Sequence, residues 1–410
     1  MSDIIIIGGG ASGIATAIMT KQRCPKCSVT VLESQDRILK KLLVTGNGQC
    51  NISNKNCSIE NYHGEDITLA SNIINQFDYR KQVQFFDSLG LPIVFEQSGK
   101  GYPMSYQAAA VVDTLRFKVE ELGIKLHCNC EVLKVDKVGK IFNVYCKEET
   151  FQGCCVVIAC GGEAGGKLGS KSGYTLFKNL GHKINQTNPS IVQLKSDSPI
   201  VKQLKGVKVN ALCKITQNNR TQRSQAGEVL FCDYGLSGPA VLQLSRVASL
   251  NKNCTVKIDF LPETTENQLF ETLRKRKSLL QTRFLADFLT GMLNKRLGQV
   301  IIKQSQLGLQ DLVSSLSDRD MHTITHNIKN LCFSITGTTG MANAQVTAGG
   351  ASLKQFSCDT LMSKKINGLF ACGEVLDVDG DCGGFNLAWC WACANAVSKG
   401  IQQLLKETLK

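Results

Sequence analysis

The chain has 410 residues, 43 % of them hydrophobic, a formal charge of +13 and 19 cysteines. That length carries two or three domains at roughly 100–200 residues each, and no apolar run approaches the ~18 residues that cross a membrane. The start runs from one acidic residue into a strand without a signal-peptide pattern, and an odd number of cysteines, mostly inside apolar segments, is unlike a disulfide framework, so a reduced cytoplasmic protein is expected.

Ile4-Ile5-Ile6-Ile7 reads as a strand too apolar to face water, and it runs directly into Gly8, Gly10 and Gly13, spaced G-x-G-x-x-G, then into the helix-compatible Ile14 to Ile18. In such a strand, turn and helix, Gly8 permits the turn, Gly10 lets a pyrophosphate approach the backbone, and Gly13 lets helix and strand close up. The helix N-terminus adds unpaired N–H groups and a positive dipole end. A glycine-rich turn with no ligand is the plain alternative. The next strand, Ser28 to Leu32, ends in Glu33, about 20 residues past the last glycine, where a carboxylate accepts from the ribose hydroxyls of an adenosine.

Arg37 to Asn54 begins basic and continues rich in Gly and Asn, which suits either a loop along a phosphate-bearing ligand or an ordinary polar turn. Residues 72–90 and 107–122 have helical spacing, and Gly99 to Met104 between them reads as a loop. Gly123 to Asn129, Val132 to Val138 and Ile141 to Cys146 read as strands, the last two forming a hairpin across Gly139-Lys140. Cys154 to Gly162 is a buried strand ending in small residues, against which a bulky ligand can lie. A glycine-rich loop then runs to Gly173-Tyr174, and Thr175 to Leu180 starts a helix closed by Gly181.

From Asn188 the pattern changes to short alternating strands such as Val207–Leu212 and Val256–Phe260, a separate β layer or barrel ended by Pro262. Residues 263–329 are helical by spacing. Cys332 to Thr336 returns as a strand, and Gly349-Gly350 marks re-entry into the first domain. Gly368 to Glu374 is a strand followed by glycine and an acid. After Gly383-Gly384, Phe385 opens a long helix that repeats the first turn's geometry, its N-terminus suited to stabilising negative charge on a bound ring. The expected domains are 1–187 with 345–410, 188–262 with 330–344, and a helical subdomain at 263–329.

The segments IIIIGGGASG, KKLLVTGNGQCNISN, GKGYPMSYQAAAVVDTL, VVIACGG, GEVLFCDYGLSGPAVLQLS, AQVTAGGASL and GLFACGEVLDVDGDCGGFNLAWCWACANA occur in that order. With them the chain resembles the FAD-dependent flavoproteins called HI0933-like or aminoacetone-oxidase-like, NAD(P)/FAD-dependent oxidoreductases of the glutathione-reductase/succinate-dehydrogenase type. The resemblance implies an α/β fold: a Rossmann-type FAD-binding domain with an inserted β-barrel-like domain and a small helical subdomain. It places the adenosine at Glu33 and the pyrophosphate at Gly10, Ala11, Ser12, Gly13 and Lys41, with Gly8, Ser34 and Val132 among the further cofactor contacts. The isoalloxazine falls to Asn47, Gly48, Cys50, Asn51, Gly384, Asn386 and Leu387, with Ala159, Gly161, Gly373 and Glu374 completing the cofactor contacts. Two departures stand out: Gln49 occupies a place where the family often has Arg, and Cys232-Asp233 replaces a common Thr-His, so a carboxylate would take any acid/base role there.

The function expected is hydride transfer between a small organic substrate and flavin N5, with the substrate held between the flavin domain and the inserted β domain. Lys171, Tyr174 and Asp233 are the candidates for substrate contact or proton transfer, because each reads as lying in a glycine-bounded loop; ordinary loop packing is the alternative. The direction is either oxidation of an amine-like compound with oxygen or reduction of an activated double bond or ketone. With no second G-x-G-x-x-G, any NAD(P)H docks transiently. Lys195 to Lys329 holds 20 Lys and Arg against 11 Asp and Glu, so a flavoprotein acting on RNA is a rival reading, and an electron carrier without small substrate another. The pattern sets no oligomeric state. Cys24/Cys27 and Cys390/Cys393 have C-x-x-C spacing but suit packing better than redox or zinc. Asp377 to Asp381 is no calcium loop, since Cys382 and Ala388 stand where glycine and glutamate are needed, and it suits solvation of the flavin edge or substrate orientation instead. His322 and His326 have no third ligand, and no metal is expected.

Overall fold

The computed structural model describes residues 2–408. Contacts divide the chain into two units, one of residues 1–188 with 345–410 and one of residues 189–344.

In the first unit the strands β1 (Ser2–Ile7), β2 (Val29–Leu32), β3 (Lys125–His127), β4 (Val132–Val138), β5 (Ile141–Cys146) and β6 (Thr150–Ile158) form a sheet in the order β3-β2-β1-β6-β5-β4. The helix α1 (Ala11–Arg23) joins β1 to β2. β1 runs parallel to both neighbours, so Ile4 to Ile7 are flanked on both sides and fully buried, as a run of four isoleucines demands. β6 changes partners along its length: Thr150 to Gly153 pair antiparallel with β5, while Val156 to Ile158 pair parallel with the strand Leu369–Ala371. Registers Ile7↔Leu32, Ile7↔Ile158 and Ile158↔Ala371 bring Gly8, Glu33, Ala159 and Cys372 to one edge. Ligands of parallel α/β sheets bind at that carboxyl edge. The terminal helix Phe385–Thr408 packs along α1, and Arg23 at the end of α1 donates to Asn395 Oδ1 at 2.8 Å and to Ser398.

Two local expectations give way here. Lys100–Pro103 is a strand, paired with Ser53–Asn54 and Ile93–Phe95, and not a loop. Its Gly101 marks close approach, because a Cβ there would come within 2.8 Å of the Phe95 ring. Residues 72–90 form two helices, Ser71–Gln76 and Tyr79–Ser88, since Asp78 restarts the helix by accepting the Lys81 N–H at 3.0 Å.

In the second unit β7 (Lys208–Gln217), β8 (Arg220–Cys232), β9 (Cys254–Asp259) and β10 (Leu331–Ile335) pair antiparallel in the order β10-β9-β7-β8. From β8 the sheet continues through Gly235–Ser237 and Leu194–Lys195 to Gly337–Thr338, which follows β10 after one residue. The segment 331–338 thus pairs at both ends and closes the sheet into a barrel. Three helices, Glu266–Leu279, Lys295–Gln304 and Asp318–Lys329, have no core of their own: Leu273, Ile301 and Ile324 share one apolar cluster with Val256, Ile258 and Phe333 of the barrel. Lys329 pairs with Asp259 at 2.7 Å, tying the last of them to β9.

Candidate functional site

The turn after β1 is built from glycines with different duties. Gly8 has φ +112°, and a Cβ there would lie 2.4 Å from the Ala159 carbonyl oxygen; a Cβ on Gly13 would lie 1.9 Å from that of Gly8. Both are required for strand and helix to touch. At Gly10, the N-cap of α1, a Cβ would meet nothing within 4 Å, and the same is true of Gly161 beyond β6. No side chain caps α1, so the first-turn N–H groups of Ala11, Ser12 and Gly13 point out of the helix without an intrahelical acceptor. Free volume over Gly10 beside uncapped donors is the cradle that a diphosphate fills.

Glu33 stands at the end of β2. Its Oε2 accepts the Gly9 N–H at 2.7 Å and its Oε1 the Gln35 N–H at 2.8 Å, which fixes the carboxylate beside the cradle while leaving lone-pair capacity for a ribose. The Glu33 carbonyl accepts the Cys130 N–H at 2.8 Å, and this sets the start of β4, with Val132, next to the acid.

The C-terminal segment forms the opposite wall. Ser12 Oγ donates to the Cys372 carbonyl at 3.3 Å, and the Trp389 indole donates to that of Gly373 at 3.2 Å. Glu374 takes the Lys41 ammonium at 2.8 Å and the Thr347 N–H at 3.0 Å, so Lys41 is held where its charge faces the start of the site. The loop after Val44 carries positive φ at Gly46, Asn47, Gly48 and Cys50 and is mostly exposed. Asn51 anchors its far end, its amide donating to the Gly101 and Ser53 carbonyls at 3.1 and 3.0 Å and accepting the Gly384 N–H at 3.2 Å. Asn54 donates to the Gly383 carbonyl at 2.7 Å, Asn386 closes on Gly380, and the Trp391 indole donates to the Ile52 carbonyl at 2.9 Å. The amides of Asn51 and Asn386 are therefore engaged within the chain, and the site presents mainly backbone. Cys50 is fully buried and burial pushes its thiol up to about 11.

Of the acid/base candidates, Tyr174 does not lie in a loop. It belongs to the helix α2 (Ser172–Asn179), is buried, and its hydroxyl makes no hydrogen bond of normal geometry. Gly173 suggested a loop but is a packing glycine: a Cβ there would fall 2.9 Å from Val375 and 3.0 Å from Cys160. Burial drives the Tyr174 phenol well above its usual range. Lys171, just before α2, is exposed, with Nζ 3.2 Å from Glu163. Asp233 lies in an exposed turn of the second unit, where a hydrogen bond from Lys205 at 2.7 Å holds its carboxyl below the usual range. Sequence reasoning singled out Asp381 within Asp377 to Asp381 but missed His63, whose Nε2 lies 2.8 Å from Asp381 Oδ1 across 318 residues. The pairing of Tyr62–His63 with Asp379–Gly380 makes that contact, and no spacing in the chain announces it.

All 19 cysteines are free thiols. Cys27 and Cys393 are buried, and His322 stacks on Phe270 with ring centroids 4.1 Å apart. Among the described residues no cluster of His, Cys, Asp or Glu is arranged to hold a metal, and no helix is long and apolar enough to cross a membrane. In the basic run 274–277, Arg276 donates to the Phe288 and Thr290 carbonyls and Lys277 to that of Leu316, so half of that run serves the fold.

A parallel sheet that gathers a glycine turn, an acid at the end of the next strand and a second glycine segment at its carboxyl edge defines a Rossmann-type FAD-dependent oxidoreductase, and the open cradle with its backbone donors fits that cofactor. The family model described as HI0933-like protein Rossmann domain matches residues 2–400, and the chain belongs to that family. It is 35 % identical over 397 residues, covering 96 % of this chain and 97 % of the other, to a Clostridium scindens protein named 3-dehydro-bile acid delta(4,6)-reductase. It is 26 % identical over 413 residues, covering 98 % and 99 %, to a Haemophilus influenzae protein named ribosomal RNA dihydrouridine synthase. Among solved structures it is similar to Escherichia coli quinol fumarate reductase FrdA, with a TM-score of 0.51 at 14 % identity, covering 99 % of this chain and 71 % of that one, a likeness of fold.

Proposed function

We propose that this protein is a cytoplasmic FAD-dependent reductase that saturates a carbon–carbon double bond conjugated to a carbonyl group in a small organic substrate, with NAD(P)H docking transiently as electron source. The observation that carries the reading is the 35 % identity, over 96 % of the chain, to a protein named as a reductase of a 3-dehydro compound, in a chain with one backbone-built dinucleotide cradle. The second relative's name describes uridine reduced to dihydrouridine, again hydrogen added to a double bond beside a carbonyl. FAD, when bound, supplies hydride chemistry at flavin N5.

The chain's own residues do the rest. The first turn of α1 and the Lys41 ammonium neutralise the diphosphate, and Glu33 orients the ribose. The start of the terminal helix offers a positive dipole end to negative charge on the ring. Reduction of a conjugated double bond also needs a proton, and we assign its delivery to His63, whose Nε2 lies 2.8 Å from Asp381 Oδ1; exposed Lys171 and Asp233 remain rival donors. The 19 free thiols suit a reducing compartment.

The test is anaerobic. Flavin reduced with NADH or NADPH is mixed with a 4-en-3-one steroid and with a set of simpler enones while its absorbance is followed. Reoxidation with a product two hydrogens heavier supports the reading. Flavin that every enone leaves reduced, in a protein whose oxidised flavin is bleached by an amine, overturns it.

A second reading, action on RNA, is favoured by one observation. Lys214 and Lys257 are direct cross-strand neighbours on the barrel, a like-charge pairing that costs stability unless an anion spans it. RNA binding that persists at ~200 mM salt supports that reading, and loss of binding there marks nonspecific charge.

A further inference from the structure

We propose that Cys130 and Cys146 form a reversible dithiol/disulfide pair that tightens the grip on the adenosine end of the cofactor. Their sulfur atoms lie 2.8 Å apart, already close to the ~2.05 Å of a disulfide bond. Cys146 ends β5, opposite Val132 at the start of β4, and Cys130 stands two residues before that start. Both are half-buried and within reach of a small oxidant, unlike Cys372 and Cys393, which are fully buried. The pair sits where the cofactor site is held together: the Cys130 N–H donates to the Glu33 carbonyl at 2.8 Å, and the neighbouring Asn129 N–H donates to Gln35 at 2.8 Å. Glu33 and Gln35 are joined in turn through the Glu33 carboxylate. Nothing covalent fixes residues 128–131 to the sheet, and Asn129 has a left-handed φ of +56°.

The chemistry needs a disulfide oxidant, for which oxidised glutathione serves. Burial and the neighbouring sulfur push the Cys146 thiol up, and the exchange balances whichever thiol opens it, as follows with Cys130 first. The Cys130 thiolate bonds to one glutathione sulfur and releases the other as glutathione thiolate. Cys146, losing its proton to solvent, then displaces the second glutathione. Two electrons pass from the protein thiols to oxidised glutathione, which leaves as two molecules of glutathione, and the protein gains one S–S bond. The link anchors residues 130–132 to β5 and so pre-organises the backbone under Glu33.

The inference rests on the placement of adenosine at Glu33, and its test separates the two. Purified FAD-loaded protein is treated with dithiothreitol or with oxidised glutathione. Disulfides are mapped by mass spectrometry after alkylation, and FAD release is followed by the rise in free-flavin fluorescence. A 130–146 link in the oxidised sample only, with FAD release slowed by about threefold or more as expected for ordering one short segment, is the supporting result. The response should vanish in Cys130→Ser and Cys146→Ser, whose release in dithiothreitol should match the parent. No 130–146 link, or a link that leaves the release rate unchanged, overturns the proposal. Glu33→Gln in dithiothreitol is the separate control: if it releases FAD no faster than the parent, the adenosine placement fails, whatever the cysteines do.

Discussion

Alanine substitutions at Gly10 and at Gly13, three residues apart in one glycine turn, should have opposite consequences. Gly10 adopts φ −78° and ψ −172°, an extended conformation open to any residue, and a Cβ there meets nothing within 4 Å. For Gly10→Ala the smaller unfolded-state entropy stabilises by about 0.4–1 kcal/mol, which offsets the poorer N-cap preference of alanine, so the apo protein should unfold within about 1 kcal/mol of the parent. The new methyl group nevertheless occupies the volume over the α1 donors. Losing one charge-assisted hydrogen bond costs about 1.5–3 kcal/mol, so FAD affinity should fall roughly 10- to 100-fold. Gly13→Ala is the reverse case: its Cβ would sit 1.9 Å from the Gly8 carbonyl oxygen, a backbone atom that cannot move without parting strand from helix. Overpacking of that kind costs about 1–3 kcal/mol or more, and the apo protein itself should be destabilised. Urea unfolding of apo protein and FAD titration by quenching of flavin fluorescence measure both quantities. A Gly10→Ala protein that binds FAD as tightly as the parent, or that is destabilised as much as Gly13→Ala, would refute the reasoning.

Lys41→Gln should weaken FAD binding about tenfold, most at low salt, while changing apo stability by less than about 1 kcal/mol, because its ion pair with Glu374 is partly exposed; isothermal titration at two ionic strengths checks this. Tyr174→Phe should leave turnover within about twofold and raise stability by up to about 1 kcal/mol, since it removes a buried hydroxyl that has no partner; a larger loss of turnover would give that hydroxyl a role. His182 has its pKa lowered, first by burial and then by the Lys365 charge. The unfolded chain takes up a proton near pH 6.5 that the folded state refuses, so this contribution is fully present above that pH and is lost as pH falls below it. His182→Asn should therefore flatten the decline of thermal stability between about pH 7 and pH 5, measured against the parent.

The parts of the fold that the sequence declares are those where composition leaves one solution. Ile4 to Ile7 cannot be placed except between two strands, and the first and last glycines of the turn that follows cannot be replaced by other residues, as the 2.4 and 1.9 Å approaches at Gly8 and Gly13 show. The barrel is legible from alternation, for Cys254, Val256 and Ile258 are buried while their neighbours are not. Its closure is not, because it depends on the two short ends of 331–338 finding different partners. The strand Lys100–Pro103 was hidden by its glycine and proline, residues that speak for a turn until Phe95 is seen against Gly101. The pairing of His63 with Asp381 was out of reach for another reason: one sequence has no term that couples residues 318 apart. Asn51 and Asn386 were expected as cofactor contacts, but sequence did not say that their amides would brace neighbouring loops of the chain.

The split partnership of β6 has a consequence for synthesis of the chain. Its later half pairs with residues 369–371, more than 200 positions on. While the ribosome is still making the barrel, that half of β6 has an empty flank, and Ser12 has not yet met Cys372. A nascent polypeptide that had not yet reached residues 369–372 would hold the glycine turn ready and have no wall to close over a nucleotide, so flavin loading should follow synthesis of that segment.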